Sequence, residues 1–431
     1  MKNVKPLELN GDFKYALDVL EKTNKSIFIT GRAGTGKSTL LRLFRRTSRK
    51  KTVVLAPTGI AALNVKGQTI HSFCGFPPRF LTSRDIKISK RYKKLIKNIE
   101  VMVIDEVSMV RADILDAIDI FLQKNRGSIA PFGGVQMVFI GDLFQLPPVI
   151  ATDLEKRFFE FQYDSAYFFS AKVFERDFEM EMLELRKVYR QEARFFLRLL
   201  EAIRLNQADY EDLEDLNVRY DPNFDSTDFY ITLSPRNYLV DKINTQKLSE
   251  ILALEYTFHA KIDGDFKPSQ YPTEQILRLK EGSQVMFIRN DHESGDYVNG
   301  TIGKVVSIDV DEIKVLIEEG NESKTIEVHK IEWEILKYKQ GNDPKEITSE
   351  VMGTFTQYPL KLAWAVTIHK SQGKTFDKVI IDMGKGAFEH GQTYVALSRC
   401  RTLEGIVLKQ KIKPQDVMVD ERVVEYYEQH F

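Results

Sequence analysis

The run Gly31-Arg32-Ala33-Gly34-Thr35-Gly36-Lys37-Ser38 constrains this chain more than any other segment. An apolar stretch at 27–30 leads into it and helical spacing follows, the strand–loop–helix setting that a phosphate loop requires. Glycines at this spacing let backbone N–H groups curl around phosphates at a helix N-terminus. Lys37 supplies a point charge and Ser38 a hydroxyl for Mg2+. Gly34, Thr35, Gly36, Lys37, Ser38 and Thr39 are therefore the expected contacts of a nucleoside triphosphate. The competing reading is a plain glycine turn joining strand to helix.

Val101-Met102-Val103-Ile104-Asp105-Glu106 supplies the other half of such a site, an apolar strand ending in two carboxylates. Asp105 is placed to reach the metal held by Ser38, and Glu106 to polarise the attacking water as general base. Alone, an Asp-Glu pair after a strand is more often a solvated turn. Downstream of a phosphate loop it reads as catalytic, with ATP and magnesium as the implied ligands.

A chain of 431 residues is expected to divide into two to four compact units. Apolar runs at 27–30, 53–56, 101–104 and 135–140, each followed by turn residues and then helical spacing, predict buried parallel strands of an α/β sheet. A helix bearing Phe13, Ala16, Leu17 and Leu20 on one face precedes them. The stretch from about 67 to 98 breaks this pattern and reads as a small insertion: Phe73, Phe76, Pro77, Pro78 and Phe80 come first, then basic residues from Arg84 through Lys90 and Arg91 to Lys97. A second α/β region begins near 183, with strands expected at 230–233 and 379–381. Between them, roughly 251–355, short β-rich runs at 284–288, 303–308, 313–317 and 325–328 suggest a small inserted barrel.

Lys plus Arg and Asp plus Glu both number 62, so no global field holds a polyanion, and contacts with nucleic acid would have to be local. Only Cys74 and Cys400 are present, which argues against a disulfide framework or zinc site and suits a reducing interior. The opening residues lack the apolar core of a signal peptide, and no apolar run spans a bilayer. The expectation is an intracellular protein with no membrane partner.

A third segment, Gly141-Asp142-Leu143-Phe144-Gln145-Leu146-Pro147-Pro148-Val149, distinguishes among phosphate-loop classes. With Pro131-Phe132-Gly133-Gly134-Val135-Gln136 before it, it resembles superfamily-one helicases of the 5′-to-3′ type, specifically the Pif-one family. In order, Ala56-Pro57-Thr58-Gly59-Ile60-Ala61-Ala62 resembles the family's motif Ia and Val188-Tyr189-Arg190-Gln191 its motif IV. The segment 365–373, Ala-Val-Thr-Ile-His-Lys-Ser-Gln-Gly, resembles motif V, and Tyr394-Val395-Ala396-Leu397-Ser398-Arg399 resembles motif VI.

The resemblance covers most of the chain and implies an α/β fold of two RecA-like P-loop NTPase lobes with parallel sheets. The first lobe is then 1–182 with a small inserted hairpin wedge at 67–98, the second 183–250 with 356–431, and 251–355 an SH3-like β-barrel. It implies that Gln145 touches the γ-phosphate or its water, that Arg190 and Arg399 reach across from the second lobe as arginine fingers, and that Gly373 lines the nucleotide. A glutamine that usually reads adenine upstream of the phosphate loop is absent from the Leu9-Asn10-Gly11-Asp12-Phe13 stretch, where Asn10 offers a similar amide. For single-stranded DNA the implied contacts are Pro57, Thr58, Gly59, Asn64, Thr69, His71 and Phe73 in the first lobe, with Arg236, Thr367, His369 and Lys370 in the second. Three bland readings stay open here: Phe73 and Phe76 as core, the basic run as a solvated face, and His369 as a packing or capping residue.

The implied activity is ATP-dependent translocation 5′ to 3′ on single-stranded DNA by a monomer that unwinds duplex, forked or G-quadruplex DNA. Two rivals are a RecD-like translocase subunit needing partners and a phosphate-loop kinase or regulatory ATPase with no DNA role.

Overall fold

The computed structural model describes residues 10–431 apart from 78–80, 82–84, 90–92, 151, 191–192, 226–228, 292–295, 310–311, 320–321 and 341–346. Leu9, Pro78, Phe80, Arg84, Lys90, Arg91 and Gln191 of the expectations above lie outside the described residues.

Six strands build the first sheet: β1 (Ser26–Thr30), β2 (Thr52–Ala56), β3 (Gln68–Thr69), β4 (Val101–Asp105), β5 (Gln136–Ile140) and β6 (Met180–Glu184). Their order is β3-β2-β4-β5-β1-β6 and every pairing is parallel. β1, β4 and β5 are buried along their whole length. Helices cover both faces of a parallel sheet, which is why these strands read as continuous apolar runs and not as alternation. Adjacent placement of β4, β5 and β1 brings three carboxyl ends together: the phosphate loop follows β1, Glu106 follows β4 and the Gln145 segment follows β5. The sixth strand runs to Glu184, past the boundary expected at 182.

A second parallel sheet holds four strands in the order Ala365–Thr367, Ile231–Ser234, Val379–Ile381 and Ile406–Leu408. Helix Asn237–Glu250 is pinned to it by the Asn244 side chain, whose amide donates to the Ala365 carbonyl and accepts from its N–H, both at 2.9 Å.

Between these halves of the second sheet lies an antiparallel unit. Its main sheet runs Glu322–Val328, Ile313–Glu319, Ile302–Ile308, Gln284–Phe287 and Leu360–Leu362, the last strand falling beyond the expected end at 355. Leu277, Leu279, Val285, Phe287, Val305, Ile313 and Val315 give it a core of its own. A long hairpin, Ile331–Gln340 with Ile347–Gln357, leaves this unit and reaches the first lobe. There the Val54 N–H donates to the Tyr338 hydroxyl and the Tyr338 N–H to Gln68 Oε1, both at 3.1 Å.

The described residues of the 67–98 insertion form β3 and the short helices Ile70–Cys74 and Lys93–Asn98. One expectation needs correction. Phe73 and Phe76 are 3% and 4% exposed and sit edge-on to Phe121, at 6.3 and 5.9 Å. Their large apolar surface is spent on the first lobe's core, so Phe73 offers no face to DNA.

The chain ends by returning to the first lobe. Helix Glu421–His430 stacks Tyr426 on Phe169 at 4.3 Å and brings Tyr427 edge-on to Phe144 at 5.2 Å, and Phe431 follows at 6.1 Å from Phe28.

Candidate nucleotide site and nucleic-acid track

The phosphate loop folds because its glycines accept conformations that other residues resist. Gly34 stands at φ +84° with the backbone of Arg190 against it; a Cβ there would lie 2.5 Å from the Arg190 Cβ. The Tyr189 N–H donates to the Gly34 carbonyl at 2.9 Å, so the 189–190 segment is seated on the loop. Lys37 begins helix α2 (Lys37–Thr47), and its ammonium donates to the carbonyls of Gly31 and Arg32. Burial pushes that ammonium down, against the pull of Asp142 and Glu106.

A cavity of about 920 Å³ opens beside the loop. Gly34, Gly36, Lys37, Ser38 and Thr39 line it from the first lobe, with Glu106 and Gln145 from the ends of β4 and β5. Arg190, seated on the loop, and Gly373 and Arg399 of the second lobe complete the lining. Thr35 turns inward and donates to the Arg32 carbonyl at 2.9 Å, shaping the loop without lining the cavity. Glu106 holds φ 52° and ψ 44°, a left-handed conformation rare for this residue type and characteristic of strained functional positions.

Buried charges of both signs line the site. Burial first, then the charge of Glu106, pushes the Asp105 carboxyl up, and burial pushes Glu106 up as well. Burial, then the neighbouring Arg399, pushes Arg190 down to about 9, and burial lowers Arg399 too. The two guanidiniums share one residue: Arg190 donates to the Ser398 carbonyl at 3.1 Å and Arg399 to the Ser398 hydroxyl at 2.8 Å. Buried carboxylates beside two buried guanidiniums, of which Arg399 feels the charges of Glu106 and Asp142, suit a polyphosphate with a hard cation. No cluster of three or more metal-ligating side chains occurs among the described residues. Magnesium at Ser38 and Asp105 would thus draw its remaining ligands from phosphate and water, its usual habit.

Two sequence expectations change at this site. Arg190 comes from the segment that joins the two sheets and rests on the phosphate loop, while Arg399 alone of the pair is carried by the second lobe. Asn10 does not line the cavity: its side-chain oxygen caps helix α1 (Gly11–Lys22) by accepting from the Phe13 N–H at 2.8 Å, and its amide N–H meets the Tyr189 hydroxyl at 3.4 Å. The cavity's apolar wall is Phe13 with Tyr189, ring centroids 6.5 Å apart and edge-on, an aromatic pair beside the loop that sequence reasoning did not single out.

The expected DNA residues gather at the carboxyl ends of parallel strands, where ligands bind in α/β sheets. Thr58, Thr69 and Thr367 each cap a short helix, accepting from the N–H three residues on at 3.2, 3.2 and 3.3 Å. Pro57 and Gly59 flank the first cap, and Gln270 of the inserted unit approaches Gly59 so closely that a Cβ there would stand 3.0 Å from it. Asn64 and Lys370 are exposed. His71 is pushed down by burial and by Arg111. His369 Nε2 lies 3.2 Å from Glu389 Oε2, and the Arg236 guanidinium lies 5.2 Å over the Phe388 ring. A second cavity, about 520 Å³, takes in Thr367 and Lys370 together with Arg278 and Lys361 of the inserted unit.

Phosphate loop and carboxylates on one parallel sheet, with an arginine from a second sheet in the same lining, define a two-lobed nucleoside-triphosphate-driven motor. Residues 11–213 match the family model described as PIF1-like helicase, and 268–308 match that of the DNA helicase Pif1 2B domain. The ATP-dependent DNA helicase Pif1 of Bdellovibrio bacteriovorus is 34% identical over 99% of this chain and 93% of its own length. The human ATP-dependent DNA helicase PIF1 is 33% identical over 94% of this chain, which spans 61% of that longer protein. This chain belongs to the Pif1 family of ATP-dependent DNA helicases. Bacteroides sp Pif1 in complex with ADP-AlF4 superposes with a TM-score of 0.91 at 38% identity, covering 98% of this chain and 97% of that one. Its unliganded form gives 0.88, and the same protein bound to ssDNA gives 0.69, again at 38% identity and 98% coverage of this chain.

Proposed function

We propose that this chain hydrolyses ATP between its two lobes and uses the cycle to move 5′ to 3′ on single-stranded DNA, unwinding duplex, forked and G-quadruplex DNA as a monomer. The observation that carries this reading is the pair Arg190 and Arg399, joined at Ser398, buried, and lining one cavity with Lys37 and Glu106. Cations so placed attract a terminal phosphate and stabilise the charge that develops on transfer, a role worth roughly 10³ to 10⁵ in rate for an arginine finger. Glu106 orients and deprotonates water, and Gln145 senses the phosphate that the water attacks. Ser38 and Asp105 are the residues that would hold Mg2+, which neutralises phosphate charge when bound.

The organisation that supports this is a first lobe with β1–β6, a second lobe with the four-stranded sheet, and an inserted SH3-like barrel between them. Thr58, Thr69 and Thr367 with their neighbours form a strand-binding track whose small polar groups make and release phosphate contacts. An intracellular setting fits two buried cysteines that form no disulfide, and no described helix is long and apolar enough to cross a membrane.

Lys37→Ala and Glu106→Gln are expected to abolish DNA-stimulated ATP hydrolysis while circular dichroism stays unchanged; full hydrolysis in either variant overturns the assignment. Duplexes with a 5′ or a 3′ single-stranded tail test the direction. Displacement restricted to the 3′-tailed substrate contradicts it, and hydrolysis with no displacement of either points to a translocase that needs partners.

A further inference from the structure

Arg204 is completely buried, at 0% exposure, on helix Arg194–Arg204 of the second lobe. It shares a face with Phe196, Leu199, Leu200 and Ile203, an apolar stripe that has no need of a cation. Its guanidinium lies 4.3 Å over the Phe144 ring and 5.0 Å over Tyr427. One nitrogen donates to Glu201 on its own helix at 3.3 Å. The other two face carboxylates of the first lobe, Nε at 3.6 Å from Asp142 and Nη2 at 3.7 Å from Glu184. These are ion-pair distances just too long for hydrogen bonds, and neither nitrogen makes one among the described residues. A buried charge is ordinarily held by a full set of hydrogen bonds.

Asp142 is the hub on the other side. Its second oxygen accepts from Gln145 Nε2 at 3.1 Å and from the Tyr394 hydroxyl at 3.2 Å. Tyr394 in turn accepts the Ala33 N–H of the phosphate loop at 3.0 Å, and Arg32 of that loop pairs with Glu201 at 2.8 Å. One guanidinium therefore stands a single carboxylate away from Gln145, through Asp142, and a single carboxylate away from the loop, through Glu201.

We propose that Arg204 is a positioning residue for ATP hydrolysis: as the lobes close, its Nε engages Asp142 and fixes the carboxylate that aims the Gln145 amide. The inference rests on the proposed function, since it assigns a regulator to that same site. Arg204 touches no reacting atom; it acts through Asp142, and lobe closure sets how firmly the sensor is held.

The test compares Arg204→Gln, Arg204→Lys and Asp142→Asn with the full-length parent, each checked for folding by thermal unfolding without nucleotide. Arg204→Gln is expected to lower kcat of ssDNA-stimulated ATP hydrolysis about tenfold or more while KM for ATP stays within about threefold, the mark of an interaction made in the transition state. Stabilisation by ADP should persist, whereas the extra stabilisation by ADP with aluminium fluoride should disappear. Arg204→Lys, which keeps the charge and loses the planar fork, should fall between. Should the arginine variants not fold, Asp142→Asn must show the same split. Wild-type kcat in a folded Arg204→Gln variant, or loss of kcat and ADP binding in parallel, overturns the inference. A parent without ssDNA-stimulated hydrolysis overturns the functional reading instead.

Discussion

Lys374 shows how a single ammonium records its surroundings. It follows the Gly373 turn, donates to the Lys370 carbonyl at 2.6 Å, and its Cβ walls off Gly300 of the inserted unit. Burial, then the charges of Lys361, Arg399 and Lys370, pushes it down to about 8. An unfolded lysine keeps its proton to about 10.4, so between these values the unfolded chain binds more protons and stability rises with pH. The thermal midpoint of the nucleotide-free protein should therefore gain an increment between pH 8 and pH 10, roughly, that Lys374→Met lacks; equal slopes in both proteins would count against it. Residues of this kind divide sharply in how far the sequence betrays them. Lys37, Ser38, Asp105 and Glu106 were legible because strand and loop spacing alone dictate where they stand. Arg204 was not, although it falls four residues after Leu200 on an apolar face, the one signal that marks it. Its partners Asp142 and Glu184 are brought to it only by the meeting of two lobes. Phe73 failed in the opposite direction: aromatic character allows both stacking and packing, and only the position of Phe121 decides.

Among elements, the parallel strands were the most readable, since burial on both faces leaves an unbroken apolar run. β3, with two residues, and Ile406–Leu408, with three, are too short to show any period. The Ile331–Gln340 hairpin was missed because its alternation slips at Ile335–Leu336, with Trp333 and Phe355 packed on Phe266 of their own unit and Tyr338 turned to the first lobe. Short capped helices carry the residues of the proposed track. Thr367 is nearly buried and caps Ile368–Ser371, so its hydroxyl both starts the helix and holds Lys370 in place. Thr367→Ala should cost about 1 kcal/mol of stability, the usual value of a lost cap, and weaken binding of a single-stranded oligonucleotide measured by fluorescence anisotropy. Thr367→Ser should restore both, and an alanine variant with unchanged affinity would remove Thr367 from the track.

At the scale of the whole molecule the comparison with Bacteroides Pif1 distinguishes two arrangements of that relative. At equal identity, Bacteroides Pif1 with ADP-AlF4 superposes far better on this chain than the same protein bound to ssDNA, so whole parts sit differently in those crystals. The unliganded form superposes nearly as well as the ADP-AlF4 complex, and in this chain the Tyr338 hairpin is docked on β2 and β3. A contact confined to one state opposes any ligand that selects the other. Tyr338→Phe deletes one hydroxyl and a hydrogen bond worth about 0.5–1.5 kcal/mol, and should tighten single-stranded DNA binding by roughly two- to tenfold; unchanged or weaker binding would show that the docked hairpin does not oppose DNA.

The closing helix has a bearing on how the molecule comes into being. Ribosomes deliver the chain from its N-terminus, and domains made early generally fold as they emerge. Here the first lobe cannot complete itself in that way, for the rings that cover Phe169, Phe144 and Phe28 arrive only after the inserted unit and the second lobe have been synthesised. Until then the nascent lobe carries an open aromatic seam, and its final sealing is also the act that fastens the two halves of the motor to each other.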